Sequence, residues 1–241
     1  MKTRIVTGNK GGVGKSFISI MLADYLLRHD DNTFIVSDSE KATGQATTWN
    51  VLRRYLPEDR IKFWELGKSS GFEALADDLQ RHAAEDVIAI VDTGASMMNE
   101  LAANLGFLRN VQDALGIDVG IVFVAGPLPD SAVAARDFLR QQKQLDKPIE
   151  TTFLLTSPTE ANQNSFQITQ DANIQEAIPK YSGRTVFLGP VRQEYFDGVM
   201  KDFRLPHAVL KDQKAGFGYR MRFDGWLKTT FDPLAAQIME G

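Results

Sequence analysis

Seven short apolar runs recur along the chain, most of them continuous, with helix-period segments between them. They are Arg4–Thr7, Phe34–Val36, the weaker Ile61–Trp64, Val87–Val91, Val119–Val124, Thr152–Leu155 and Thr185–Leu188. A strand with one wet face alternates apolar and polar residues; a strand covered on both faces has no reason to. In Phe17–Leu27, residues Ile18, Met21, Leu22, Tyr25 and Leu26 recur at i, i+3, i+4, i+7 and i+8, the stripe of a packed helix. Phe72–His82, Asn99–Leu115, Ser131–Gln144 and Ser165–Ala177 read the same way, and Pro179 is expected to stop the last. Strands alternating with helices predict an α/β fold: a single doubly wound, mostly parallel sheet with helices on both faces. With 241 residues, no internal repeat and no low-complexity linker, one domain over 1–241 is expected.

Composition narrows the chemistry. Cysteine is absent, which excludes disulfide scaffolds, thiolate metal sites and cysteine nucleophiles. The three histidines, His29, His82 and His207, are scattered without metal spacing, and no Gly-x-Ser-x-Gly elbow occurs. Trp49 and Trp64 read as packing residues. No apolar run approaches a membrane span, and the N-terminus lacks the apolar stretch of a signal peptide, so a soluble, cytoplasmic protein is expected. A net charge of −4 is too balanced for a protein coated in nucleic acid. The charge is uneven, however: residues 201–241 carry seven Lys/Arg against five Asp/Glu, the rest 20 against 26.

The first apolar run leads straight into Gly8-Asn9-Lys10-Gly11-Gly12-Val13-Gly14-Lys15-Ser16, where the first helix begins. Glycines let a backbone turn its N–H groups inward, and a helix N-terminus adds a positive dipole end, so strand, glycine loop and helix together make a phosphate cradle. In such a loop Lys15 is placed to reach β- and γ-phosphates and the Ser16 hydroxyl to ligate Mg²⁺. Asn9 stands where a strict G-x-x-x-x-G-K-[ST] pattern has its first glycine. The nucleotide contacts expected here are Asn9, Lys10, Gly11, Gly12, Val13, Gly14, Lys15, Ser16 and Phe17.

The run Lys-Gly-Gly-Val-Gly-Lys-Ser, residues 10–16, resembles the deviant Walker A loop of the ParA/MinD family of ATPases. The resemblance implies that Lys10 reaches across a nucleotide-sandwiched homodimer to the partner's phosphates. It implies roles for Ser37-Asp38-Ser39-Glu40 too: relatives carry an Asp-x-Asp pair there that assists Mg²⁺ and orients the attacking water. Asp38 fits; Glu40 replaces the second acid, the usual Pro-Gln is absent, and Asp38 aligns with either acid of the pair. Val87–Val91 closing on Asp92-Thr93-Gly94 is similar to a Walker B strand entering a switch, with Asp92 beside the metal. On this reading Lys10, Lys15, Asp38, Glu40 and Asp92 form the catalytic set, and Ser16, Asp38 and Asp92 serve the metal. Base recognition falls to Ser157 and to Pro190, in a segment similar to the family's Ile-Pro stretch. Adenine rather than guanine follows from the family, and no Asn-Lys-x-Asp occurs.

The resemblance covers residues 2 to about 200 and is strongest to plasmid-borne members, the TraL-like conjugal transfer and StbB-like stability proteins. It implies Mg²⁺-dependent binding and slow hydrolysis of ATP to ADP, a homodimer formed on ATP, and a protein partner in plasmid transfer, partition or cargo positioning. Two alternatives stay open: a nucleotide-gated binding protein with little turnover, suggested by Glu40, and a phosphotransferase or ligase of the same superfamily, against which Lys10 speaks. Over residues 201–228, seven cations interleave with Phe217, Tyr219, Phe223 and Trp226. That pattern suits a final amphipathic helix packing Phe223, Trp226, Leu227 and Phe231, and is also compatible with DNA or RNA contact, with partner docking or, against the interrupting Asp224 and Asp232, with a membrane surface.

Overall fold

A computed structural model of the protein describes residues 1–8, 14–29, 34–39, 47–94, 97–157 and 162–240. Seven strands form one sheet in the order β3-β2-β4-β1-β5-β6-β7. They are β1 (Lys2–Thr7), β2 (Phe34–Asp38), β3 (Ile61–Lys62), β4 (Ile88–Asp92), β5 (Asp118–Ala125), β6 (Glu150–Ser157) and β7 (Gly183–Pro190). Each coincides with one of the seven apolar runs, and every pairing is parallel rather than most of them.

The continuous runs are explained by two cores, one on each face. Along a strand successive side chains point to opposite faces. Val6, Phe34, Val36, Ile88, Ile90, Val122, Val124 and Leu154 belong to the first core; their neighbours Ile5, Ile35, Ala89, Val91, Ile121, Phe123, Phe153 and Leu155 belong to the second. The first core is closed by α1 (Lys15–His29), α2 (Thr47–Leu52), and, from the end of the protein, α9 (Gln193–Met200), α10 (Pro206–Lys211), α11 (Phe217–Trp226) and α12 (Asp232–Glu240). The second is closed by α3 (Ser69–His82), α4 (Met98–Ala103), α5 (Leu105–Leu115), α6 (Pro129–Gln142), α7 (Gln167–Gln170) and α8 (Ala172–Lys180).

Three helical expectations need correction. Asn99–Leu115 is not one helix: α4 and α5 meet at Asn104, whose φ of −102° and ψ of 7° leave the helical basin while its side chain donates to Glu100 O at 2.8 Å. The apolar stripe runs through that break because both pieces pack on the same core. Ser165–Ala177 is likewise divided, at Asp171, whose carboxylate caps α8 by accepting from Asn173 N and Ile174 N. Pro179 does not stop α8 at once: the helix runs through it to Lys180, one residue further, with proline forfeiting the N–H bond to the carbonyl four residues back.

The C-terminal segment packs as an amphipathic helix, with Phe223, Leu227 and Phe231 buried and Trp226 partly buried against the first core. Between α11 and α12 the backbone makes a π-helical turn, Leu227–Phe231, in which Asp232 N donates to Leu227 O. Pro233 supplies the reason: it has no N–H to give Thr229 and its ring crowds that carbonyl. No helix among the described residues is long and apolar enough to cross a membrane.

Cations from β1 and β7 hold the tail of α12. Arg4 Nε donates to Ile238 O at 2.7 Å, Lys2 Nζ to Met239 O at 2.9 Å and an Arg184 nitrogen to Gln237 O at 2.9 Å. Helix-end carbonyls lack intrahelical partners, so cations from two strands cap the helix in their place. Arg4 is buried and also pairs with Asp118 at 2.7 Å. Arg4→Met is therefore expected to cost about 2 kcal/mol of unfolding free energy, since it orphans buried carbonyls and a carboxylate partner. Urea unfolding followed by circular dichroism would measure it, and an unchanged midpoint would remove the cap's energetic role.

Candidate functional site

The strand order reverses at β1, which has β4 on one side and β5 on the other, so the loop after β1 opens at the C-terminal edge where doubly wound sheets bind ligands. Gly14 enters α1 with a φ of +96°, a backbone region that glycine occupies without strain, and its carbonyl accepts from Ile18 N at 2.9 Å. Lys15 and Ser16 then open α1. Lys15 is 6% exposed, unusually low for an ammonium. Phe17 turns its ring into the first core, 5.3 Å from the ring of Phe196 on α9, so its side chain is a packing element.

Asp38 closes β2 and Asp92 closes β4. The parallel register pairs Asp38 with Asp92 and Asp92 with Val6, so two carboxylates and the root of the glycine loop lie on adjoining strand ends. Both aspartates are buried. Burial, and next the charge of Asp38, push the Asp92 carboxyl up to about 7, while hydrogen bonds from Thr48 and Ser16 and the charge of Lys15 pull the other way. Thr48 Oγ1 donates to Asp92 Oδ2 at 2.5 Å, and the Trp49 amide donates to Asp38 Oδ2 at 2.9 Å. Asp92 Oδ1 is buried with no hydrogen-bond partner among the described residues.

The strand ends are further laced together. Ser39 Oγ donates to Asp92 O at 2.9 Å and accepts from Gly94 N at 3.0 Å, while Thr93 Oγ1 donates to Val6 O at 3.0 Å. The segment after β4 is thereby tied to β2 and β1 together. Nothing in the sequence singles out Ser39, Thr48 and Thr93: isolated hydroxyls have no diagnostic spacing, and their partners lie on other strands.

On the other flank, β6 and β7 bring Ser157 and Pro190 into register, and Val191 N donates to Ser157 O at 2.9 Å. A Cβ placed on Gly14 would stand 3.8 Å from Thr156 Cγ2, so the end of β6 borders the loop. Gly189 takes a φ of +81° where the β6–β7 register shifts, and this turns the backbone toward Pro190. Of the residues singled out in the sequence, Lys15, Ser16, Asp38 and Asp92 come together, with Ser157 and Pro190 at the side. Asn9, Lys10, Gly11, Gly12, Val13 and Glu40 lie outside the described residues.

One ammonium set against two buried carboxylates is an arrangement waiting for charge. A hard divalent cation suits it: oxygen donors only, one orphaned buried carboxylate oxygen, and a serine hydroxyl on the adjoining helix. Among the described residues no group of three or more His, Asp or Glu could hold a metal alone. In the C-terminal segment Lys201, Arg204 and Lys228 pair with Asp197, Asp212 and Asp224, whereas Lys211, Lys214 and Arg222 are exposed.

An all-parallel seven-stranded sheet wrapped by helices, with a glycine loop entering α1 at the central strand, is the fold of the P-loop nucleoside triphosphatases. The solved structures similar to this protein include several ParA/MinD-family ATPases. The pNOB8 ParA structure is 13% identical, with a TM-score of 0.59, over 99% of this sequence and 98% of that one. A ParA family ATPase from Chlorobium tepidum is 16% identical, with a TM-score of 0.53, over 97% of both sequences. An ATP complex of McdA from Cyanothece is 14% identical, with a TM-score of 0.50, over 95% of both sequences. No protein-family model and no curated protein matches the sequence, and at these identities the likeness is one of fold.

Proposed function

We propose that this protein is a Mg²⁺-dependent ATPase of the ParA/MinD kind: it binds ATP, hydrolyses it slowly and uses the nucleotide to switch between monomer and dimer. The observation that carries this reading is the register pairing of Asp38 with Asp92 beside the buried Lys15 at the root of the glycine loop. A fold shared with ParA and MinD ATPases supports it, as does the ATP held by the McdA structure.

Lys15 neutralises charge on the β- and γ-phosphates, and the loop amides supply donors without a side chain's entropy cost. Mg²⁺, if bound here, would supply positive charge against the charge that develops on the phosphates. Ser16 and Asp92, through its unpartnered Oδ1, are the residues that would hold that ion or its waters. Asp38, kept in place by the Trp49 amide, orients the attacking water. Ser157 and Pro190 border the base, and Phe17 contributes backbone rather than its ring. Lys10 completes the partner's phosphate site in the dimer.

Plasmid transfer, partition or cargo positioning is the setting this switch would serve, with one protein partner. The exposed Lys211, Lys214 and Arg222 are the groups that would meet DNA phosphates. Steady-state phosphate release by the purified protein tests the enzymatic part. Slow turnover that requires Mg²⁺ is expected; release no faster than without protein would leave a nucleotide-gated binding protein in place of an ATPase.

A further inference from the structure

Two hydrogen bonds fasten the first turn of α2 to the two carboxylates, Thr48 Oγ1 to Asp92 Oδ2 at 2.5 Å and Trp49 N to Asp38 Oδ2 at 2.9 Å. Thr48 is fully buried. Threonine hydroxyls in helices usually bond a neighbouring backbone group; this one instead reaches a carboxylate 44 residues away in sequence. A donor fixed on one oxygen sets the plane of a carboxylate, and here it leaves Oδ1 with no partner among the described residues. The same turn directly follows residues 40–46, which lead from Asp38, so α2 is linked to that aspartate both through the backbone and through the Trp49 amide.

We infer that Thr48 is a positioning residue for the metal–nucleotide site: its hydroxyl holds Asp92 so that Oδ1 is presented to the cation or its water, and together with the Trp49 amide it makes the start of α2 the element that registers whether the cation is bound. The inference rests on the Mg²⁺-nucleotide reading above and adds to it a residue and a reporting element. Without a cation the first turn of α2 is held by two carboxylates that repel each other across adjoining strands. A cation held at Asp92 would fix that carboxylate and offset its repulsion with Asp38, so that both bonds from α2 would rest on anchored acceptors.

Three readouts test it without relying on turnover. In wild type, amide hydrogen exchange over residues 47–52 should slow with Mg²⁺ plus a non-hydrolysable ATP analogue and not with the analogue in EDTA. In Thr48→Val, the gain in analogue affinity conferred by Mg²⁺ should fall by about tenfold, the effect of losing one hydrogen bond to a charged group, while affinity in EDTA stays within about twofold. Thr48→Ser, which keeps the hydroxyl, should restore the Mg²⁺ gain. A Thr48→Val protein that melts earlier yet keeps the full Mg²⁺ gain would reduce Thr48 to a structural residue and overturn the inference alone. Unchanged exchange at 47–52 on Mg²⁺-analogue binding in wild type would overturn it too, whether or not the valine variant folds. A wild type that binds the analogue under neither condition would overturn the nucleotide reading, and this inference with it.

Discussion

Lys15→Ala is expected to weaken Mg²⁺-ATP binding by at least about a hundredfold, the largest loss of any single substitution in the site. Two charge-assisted hydrogen bonds to phosphate oxygens are worth about 1.5–3 kcal/mol each, and each 1.4 kcal/mol is a factor of ten in affinity. No other cation among the described residues belongs to the cluster formed by Lys15, Ser16, Asp38 and Asp92, so none replaces it there. Removing the ammonium also removes a positive charge that offsets Asp92. Arginine should not rescue, because a planar fork cannot occupy the space of a compact ammonium that is 6% exposed. Titration with a fluorescent ATP analogue would read the effect; affinity within a few-fold of wild type would sink the phosphate-loop assignment.

Asp38→Ala should give the opposite profile, with binding kept and turnover lost by about a hundredfold or more, as for removal of a group that orients or deprotonates the attacking water. The structure gives a reason why binding survives. Asp38 is the neighbouring charge that helps to hold the Asp92 carboxyl at about 7, so without it Asp92 ionises more readily and is a better partner for Mg²⁺. The Trp49 amide loses its acceptor, a loss on one hydrogen bond rather than on the fold. Phosphate release set beside analogue affinity separates the two effects. Unchanged turnover in Asp38→Ala together with lost turnover in Glu40→Ala would move the water-orienting role to Glu40.

The sheet was legible because its strands are buried on both faces. Val87–Val91 and Val119–Val124 could not be unbroken apolar runs with a wet side, and the split of alternate residues between two cores accounts for both. Helix breaks were not legible. The stripe across Asn99–Leu115 reports one core-facing side, and nothing in that pattern marks Asn104 as the point where the backbone turns. Pro179 misleads by a residue or two only: α8 runs through it to Lys180 before ending. The site divides along the same line. Lys15, Ser16 and Asp92 announce themselves by position in strand–loop–helix and strand–turn contexts. Thr48 and Ser39 do not, because their bonds to Asp92 join separate elements and exist only after the sheet has formed. In the C-terminal segment Phe223 is core, stacked on Tyr195 at 4.7 Å, whereas Phe217 is exposed and stays with the exposed cations as surface a partner could meet.

Light scattering on the purified protein without nucleotide, with Mg²⁺-ADP and with Mg²⁺-ATP, using Asp38→Ala to prevent turnover, is the measurement that bears most directly on a nucleotide-driven switch. Two lysines beside one phosphate site repel when it is empty, and three phosphates remove that cost most fully where water is excluded between subunits. ATP should therefore bind the dimer more tightly than the monomer, and by linkage the dimer should tighten by the same factor. A doubling of mass is expected with Mg²⁺-ATP only, and its loss in Lys10→Ala while ATP still binds. A protein that binds ATP and keeps its monomer mass, or a Lys10→Ala variant that doubles as wild type does, would contradict the switch.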